Sequence, residues 1–194
     1  MNVLPSRVKQ LVGVVALAAV AAGCSDFIRQ DRSPVTLVID RLEAAPVQST
    51  TFAGTLQSDV LTEGSIFSDT ARVTMRLIPK DVGTTPSATN AVTINRYRVV
   101  YRRSDGRNTA GVDVPQPFDS AMTVTVTPAT TVTQAFELVR HVAKLERPLS
   151  GLAQGAVIIS TVADVTFFGR DQAGNELSTT GSIGVQFGDF ADPE

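Results

Sequence analysis

An all-β domain, an antiparallel sandwich of about seven or eight strands with room for one short helix, is what this 194-residue chain predicts. Three observations carry the prediction. From residue 34 onward apolar and polar residues alternate with a period of two, which puts successive side chains on opposite faces of a strand. The alternating runs are rich in Val, Ile, Thr and Phe, which suit a pleated, half-buried surface. Turn signals such as Ser104-Asp105-Gly106 separate the runs.

Taken in order, Val35, Leu37 and Ile39 alternate with Thr36 and Asp40 and predict the first strand. Residues 52–61 form a weaker candidate. Val73, Met75 and Leu77 alternate with Arg72, Thr74 and Arg76. Residues 84–89, TTPSAT, read as a polar loop within one domain, because the strand pattern resumes on both sides. Residues 90–103 then change phase: Val92 and Ile94 lie on one parity, Tyr97, Val99 and Tyr101 on the other. One extra residue near Asn95, a β-bulge, restores the register.

Met122, Val124 and Val126 alternate with Thr123, Thr125 and Thr127. Residues 133–145 admit two readings. Ala135, Leu138, Val139, Val142 and Leu145 make a helical stripe, with Gln134, Glu137, Arg140, His141 and Lys144 largely opposite. As a strand, Phe136 and Leu138 alternate, but Arg140 and Lys144 interrupt that face. Residues 157–168 are apolar on both faces, as in a central strand, and Ile183, Val185 and Phe187 form the last one.

The amino-terminal stretch has a different character. Arg7 and Lys9 precede residues 11–24, LVGVVALAAVAAGC. The uncharged run is too short for a spanning helix, which takes about 20 residues, and fits the apolar region of a secretory signal. Its end, Ala21-Ala22-Gly23-Cys24, resembles the lipobox of bacterial lipoproteins, with Ala21 where Leu or Val is more frequent. The resemblance implies cleavage before Cys24, a diacylglyceryl thioether on its sulfur and an acylated amino terminus. Two or more acyl chains hold a protein stably on a membrane. Ser25, rather than Asp, follows the anchor, which by analogy with enterobacterial lipoproteins favours the outer membrane.

The expected organisation is a leader over residues 1–23, a lipidated tether over 24–33, a sandwich domain over 34–190 and an acidic tail over 191–194. Without the leader the chain has 171 residues, enough for one real core. It then carries 15 basic and 19 acidic residues, so its net charge of −4 gives no overall attraction to nucleic acid. Cys24 is the only cysteine, which leaves no internal disulfide and no cysteine-rich metal site.

Within the domain, residues 165–187, VTFFGRDQAGNELSTTGSIGVQF, resemble the closing hairpin of bacterial immunoglobulin-like and fibronectin type III-like modules, strand, D-x-x-G-N turn, strand. The resemblance implies an immunoglobulin-like sandwich and brings no activity with it.

Candidate chemistry is sparse. Asp171, Asn175 and Glu176 offer oxygens to calcium, but too few for its usual six to eight ligands. Turn chemistry accounts for them as well, with Asp171 accepting backbone N–H groups and Gly174 or Asn175 in the left-handed region. His141 is the only histidine, so a Ser-His or Cys-His mechanism would have to use it, and no G-x-S-x-G elbow is present. Paired carboxylates for glycoside hydrolysis depend on the fold, while a chain with no Trp and two Tyr has few sugar-stacking faces.

The most distinctive charge feature is Arg96, Arg98, Arg102 and Arg103, with Arg107 beyond the turn. Arg96, Arg98 and Arg102 share a parity and hence a face. Such a stripe suits an anionic partner, and equally a solvated sheet face with cross-strand carboxylates. The expectation is a membrane-anchored, non-catalytic binding or scaffolding domain without cofactor or metal. An accessory subunit of an envelope transport or secretion complex is the alternative, and a carboxylate-dependent envelope hydrolase a third reading.

Overall fold

A computed structural model describes residues 32–153 and 155–190. The leader, Cys24, most of the tether and the tail 191–194 lie outside the described residues. Eight strands follow one another: β1 (Val35–Ala45), β2 (Thr55–Asp59), β3 (Asp69–Pro79), β4 (Val92–Arg102), β5 (Phe118–Val126), β6 (Thr131–Val139), β7 (Ile159–Asp171) and β8 (Glu176–Gly188). One short helix, α1 (His141–Leu145), sits between β6 and β7. The fold is all-β, as the alternation predicts.

The strands form two sheets, ordered β1-β3-β6 and β2-β8-β7-β4-β5. Pairing is antiparallel except at one edge, where β2 runs parallel to β8 with Leu56 opposite Val185. The residues expected on the inner faces are there. Val73, Met75, Val165, Phe167, Val185 and Phe187 have no exposed surface, and they belong to one apolar cluster with residues of the opposite sheet. β7 is central, between β8 and β4, although its apolar residues face mainly inward.

The register of β4 shifts between Ile94 and Arg96 against both its neighbours. Asn95 is the extra residue relative to β7, so Ile94 and Tyr97 both point inward despite their opposite parity. Gly169 faces this bulge: a β-carbon there would come within 2.7 Å of the Thr93 carbonyl oxygen, so the close approach of the two backbones requires glycine.

Aromatic rings fill the middle of the sandwich. Tyr97 of β4 lies 5.0 Å from Phe136 of β6, and Phe136 lies 5.4 Å from Phe167 of β7, ring centre to ring centre. Two tyrosines fasten the sheets together. The Tyr97 hydroxyl donates to the Glu137 carbonyl at 2.9 Å, and that of Tyr101 to the Leu138 carbonyl at 2.6 Å. Burial pushes both phenols up from their ordinary pKa. They remain neutral donors, and the apolar ring of each fills the core beneath its hydrogen bond.

Residues 133–145 follow the strand reading through Val139 and are helical only over the last five residues. The first part is the edge strand β6, with Phe136 and Leu138 inward. Arg140 is extended, and α1 follows. The helical stripe does not describe the packing: Val142 and Leu145 are exposed, while Ala143 and Lys144 are buried.

Lys144 enters the core because a carboxylate waits for it. Its Nζ lies 2.9 Å from Asp69 Oδ2, with each side chain about 1 % exposed, and donates to the Asp59 carbonyl at 2.7 Å. The Ser58 hydroxyl donates to Asp69 Oδ2 at 2.6 Å. Desolvation raises the Asp69 pKa, and the opposing attraction of Lys144 does not cancel it. Asp69 Oδ1 is buried without a hydrogen bond; the Val47 backbone amide faces the carboxyl but closes no bond of ordinary geometry.

Phe167→Ala, which empties the centre of this cluster, is expected to lower the unfolding free energy by about 3–5 kcal/mol. The same change at Phe168, on the outer face, is expected to cost far less; urea denaturation compares the two. Lys144→Met leaves Asp69 buried without its cation, and is expected to cost about 3–5 kcal/mol in the same assay.

Candidate functional site

The bulge at Asn95 determines which face the arginines take. Past it, Tyr97, Val99 and Tyr101 point into the core, so Arg96, Arg98 and Arg102 point outward from the five-stranded sheet. The structure therefore brings these three onto one face, as their parity predicts. Arg103 lies just past the strand, in the connection to β5.

Each guanidinium meets a carboxylate. Asp119 of β5 receives Arg96 at 3.0 Å and Arg98 at 3.4 Å. Arg96 also stacks on the Phe168 ring, 3.7 Å from its centre. Arg102 pairs with Asp164 of β7, which in addition accepts the Ser182 hydroxyl at 2.7 Å. Arg103 and Arg107 converge on Asp105, at 2.6 and 2.8 Å. Farther along β7, Arg170 pairs with Glu176 of β8 at 2.5 Å.

These contacts explain the electrostatics of the face. The Arg102 hydrogen bond holds the Asp164 carboxyl below its usual range, against the smaller effect of burial. Hydrogen bonds from Arg103 and Arg107 do the same to Asp105. Asp119 serves two arginines and Asp105 serves two more, so guanidinia outnumber carboxylates among the named groups. On the strand itself three guanidinia, Arg96, Arg98 and Arg102, meet two carboxylates, Asp119 and Asp164.

The other candidates fall elsewhere. Asp171 ends β7, and its Oδ1 accepts the backbone N–H of Ala173 at 3.0 Å and of Asn175 at 2.8 Å. Its Oδ2 accepts the Asn175 side-chain amide at 2.8 Å, and Gly174 takes φ +81°. Burial raises the Asp171 pKa, yet the hydrogen bonds from Asn175, Ser33 and Ala173 together outweigh it and lower the value. These contacts are the turn chemistry expected from D-x-x-G-N. Among the described residues no three or more His, Cys, Asp or Glu side chains cluster to hold a metal ion. His141 is exposed at the start of α1.

The loop at residues 46–51 borders two open clefts of about 500 and about 470 Å³. Both are lined largely by neutral side chains, including Ser49, Thr51 and Gln57. Asp59 supplies a carboxylate to the first, and its oxygens already accept Leu61 N–H, Phe190 N–H and the Thr62 hydroxyl.

No family model matches this chain. No curated protein matches it either. Among solved structures, it is similar to the one described as the X-ray structure of Northeast Structural Genomics Consortium target SoR45, at 10 % identity and a TM-score of 0.38, over 83 % of this chain and 92 % of that one.

The buried Lys144–Asp69–Ser58 group escapes sequence reasoning, because its members are 11 and 75 positions from Asp69 and meet only through tertiary packing. The carboxylates opposite the arginines escape it for the same reason. Their positions follow from strand pairing, with Asp119 across from Arg98 and Asp164 across from Val100.

Exposed pairs of this kind contribute about 0.2–1 kcal/mol. A double-mutant cycle on Arg102→Ala and Asp164→Ala is expected to give a weak coupling that decreases with added salt. Asp164 has a depressed pKa when folded, so its contribution is present above the ordinary carboxylate pKa of about 4 and is lost as pH falls through the depressed value. Urea denaturation at neutral and acid pH is expected to show the difference between wild type and Asp164→Asn shrinking on acidification.

Proposed function

We propose that this chain is an extracytoplasmic lipoprotein, held on a membrane by lipid at Cys24, whose sandwich works as a non-catalytic binding or scaffolding module. Its contact surface is the outer face of β4, and its partner is anionic. The observation that carries the reading is the set of three guanidinia, Arg96, Arg98 and Arg102, that shares two carboxylates on the outer face of a strand fixed by its inward tyrosines, with Arg103 just past its end. Paired guanidinia retain free N–H donors, and an acidic protein surface or acidic glycan can recruit these without dismantling the cross-strand pairs.

Two further observations support parts of the proposal. Residues 11–24 have the order of a lipoprotein leader, an apolar run closed by small residues and Cys24. The run β8-β7-β4-β5 has the neighbour order of the G, F, C and C′ strands of immunoglobulin variable-type sandwiches, which supports the immunoglobulin-like reading of the domain.

A second reading, an accessory subunit of an envelope transport or secretion complex, uses the same face with a larger assembly as partner. Crosslinking in intact cells, followed by identification of the attached protein, separates a solitary partner from a complex. Arg98→Glu with Arg102→Glu is expected to reduce the crosslinked yield about tenfold, with an unchanged circular dichroism spectrum. An unchanged yield overturns the assignment of the face. Mass spectrometry of the mature amino terminus is expected to find acylated Cys24; an unmodified terminus at Ser25 or beyond overturns the anchor.

A further inference from the structure

The buried ion pair has an incomplete hydrogen-bond inventory. Asp69 Oδ2 receives both the Lys144 ammonium and the Ser58 hydroxyl, while Oδ1 is buried with no bonded partner. An ionised carboxylate with an unsatisfied oxygen is costly in a dry interior. We propose that Lys144 Nζ and Asp69 Cγ condense into an intramolecular amide, a covalent cross-link between α1 and β3.

The amide satisfies what the ion pair does not. Oδ1 departs as water. Oδ2 remains as the amide carbonyl oxygen and keeps the Ser58 hydroxyl as its donor. The single remaining N–H on Nζ keeps the Asp59 carbonyl as its acceptor. Two buried charges become one neutral group with both of its polar atoms bonded, which removes the desolvation cost of the pair.

The geometry also supplies the reaction. A proton passes from the ammonium to the carboxylate, giving a neutral amine and a neutral acid. Burial raises the Asp69 pKa, which favours the neutral acid. The amine lone pair then attacks Cγ, the C–Oδ1 bond breaks, and the oxygen leaves with two protons, one from the acid and one from the amine. Ammonium plus carboxylate becomes amide plus water, with no oxidant or other co-reactant. The 2.9 Å contact between side chains that are both about 1 % exposed places the reacting groups together and excludes the water that would reverse the step. The link would close the chain between residues 69 and 144, in a protein whose single cysteine leaves it without an internal disulfide.

A tryptic map of the denatured, purified full chain tests this directly. Trypsin releases residues 42–72, which contain Asp69, and in an unlinked chain residues 141–144, which end at Lys144. With the cross-link, cleavage after Lys144 is blocked, and Arg147 is followed by proline. The expected product joins residues 42–72 to residues 141–170 and is lighter than their sum by one water. In the Lys144→Arg variant, which keeps the cation but lacks the primary amine, residues 42–72 and 141–144 are expected separately. Recovery of the two wild-type peptides separately, with no linked species, overturns the proposal; this wild-type reading stands whether or not the variant folds.

Discussion

The contact between Lys144 and Asp69 is the constraint around which the rest of the molecule closes. Asp69 opens β3 in the small sheet, Ser58 lies near the end of β2 in the large sheet, and Lys144 comes from the helix that follows β6. A charge cannot be left alone in such a place, so each of the three elements must arrive for the other two to be tolerated. Apolar packing between the sheets is not directional and would admit small slippages. A 2.9 Å ion pair and a 2.6 Å hydrogen bond on the same oxygen would not. The pair therefore specifies the arrangement at this end of the sandwich, while Tyr97 and Tyr101 specify the distance between β4 and β6.

The outer faces follow a different rule. On the small sheet Arg72 meets Glu43 at 2.9 Å and Arg76 meets Asp40 at 2.7 Å, both across the β1–β3 pairing. Threonine hydroxyls pair between strands in both sheets, Thr74 with Thr133, Thr93 with Thr125 and Thr166 with Thr180. Each such contact is weak, and in number they make a hydrated cover that suits strands whose opposite faces are apolar. The face of β4 repeats this pattern: Arg96, Arg98 and Arg102 share Asp119 and Asp164, as Arg41, Arg72 and Arg76 share Glu43 and Asp40 on the small sheet.

The alternation of side chains was sufficient to read most of the strands, though not β2 or β6, because burial of one face leaves its mark every second residue. Val73, Met75 and Leu77, and Ile183, Val185 and Phe187, sit where that pattern puts them. The bulge at Asn95 was legible as a break in phase, and the Asp171 turn as a set of short polar residues. What was not legible is non-local. The alternation of β2 carries no sign that it will pair in parallel with β8, and Asp119 gives no sign of facing Arg98. Residues 141–145 misled for a further reason. A single helical turn is too short for its stripe to decide which side faces inward, and the buried carboxylate of Asp69 drew in Lys144 where the pattern placed Val142 and Leu145.

The parallel seam between β2 and β8 joins residues 55–59 to residues 184–188. A polypeptide that emerges amino end first can lay down β1 against β3 well before synthesis ends, but β2 has nothing to pair with until residues 184–188 appear. The central strands β4 and β7 likewise wait on each other across more than fifty residues. Long-range pairing of this kind is slow and leaves apolar edges open in the meantime. β4 and β5 can pair early, but the large sheet closes only when β8 is free to take β7 on one side and β2 on the other.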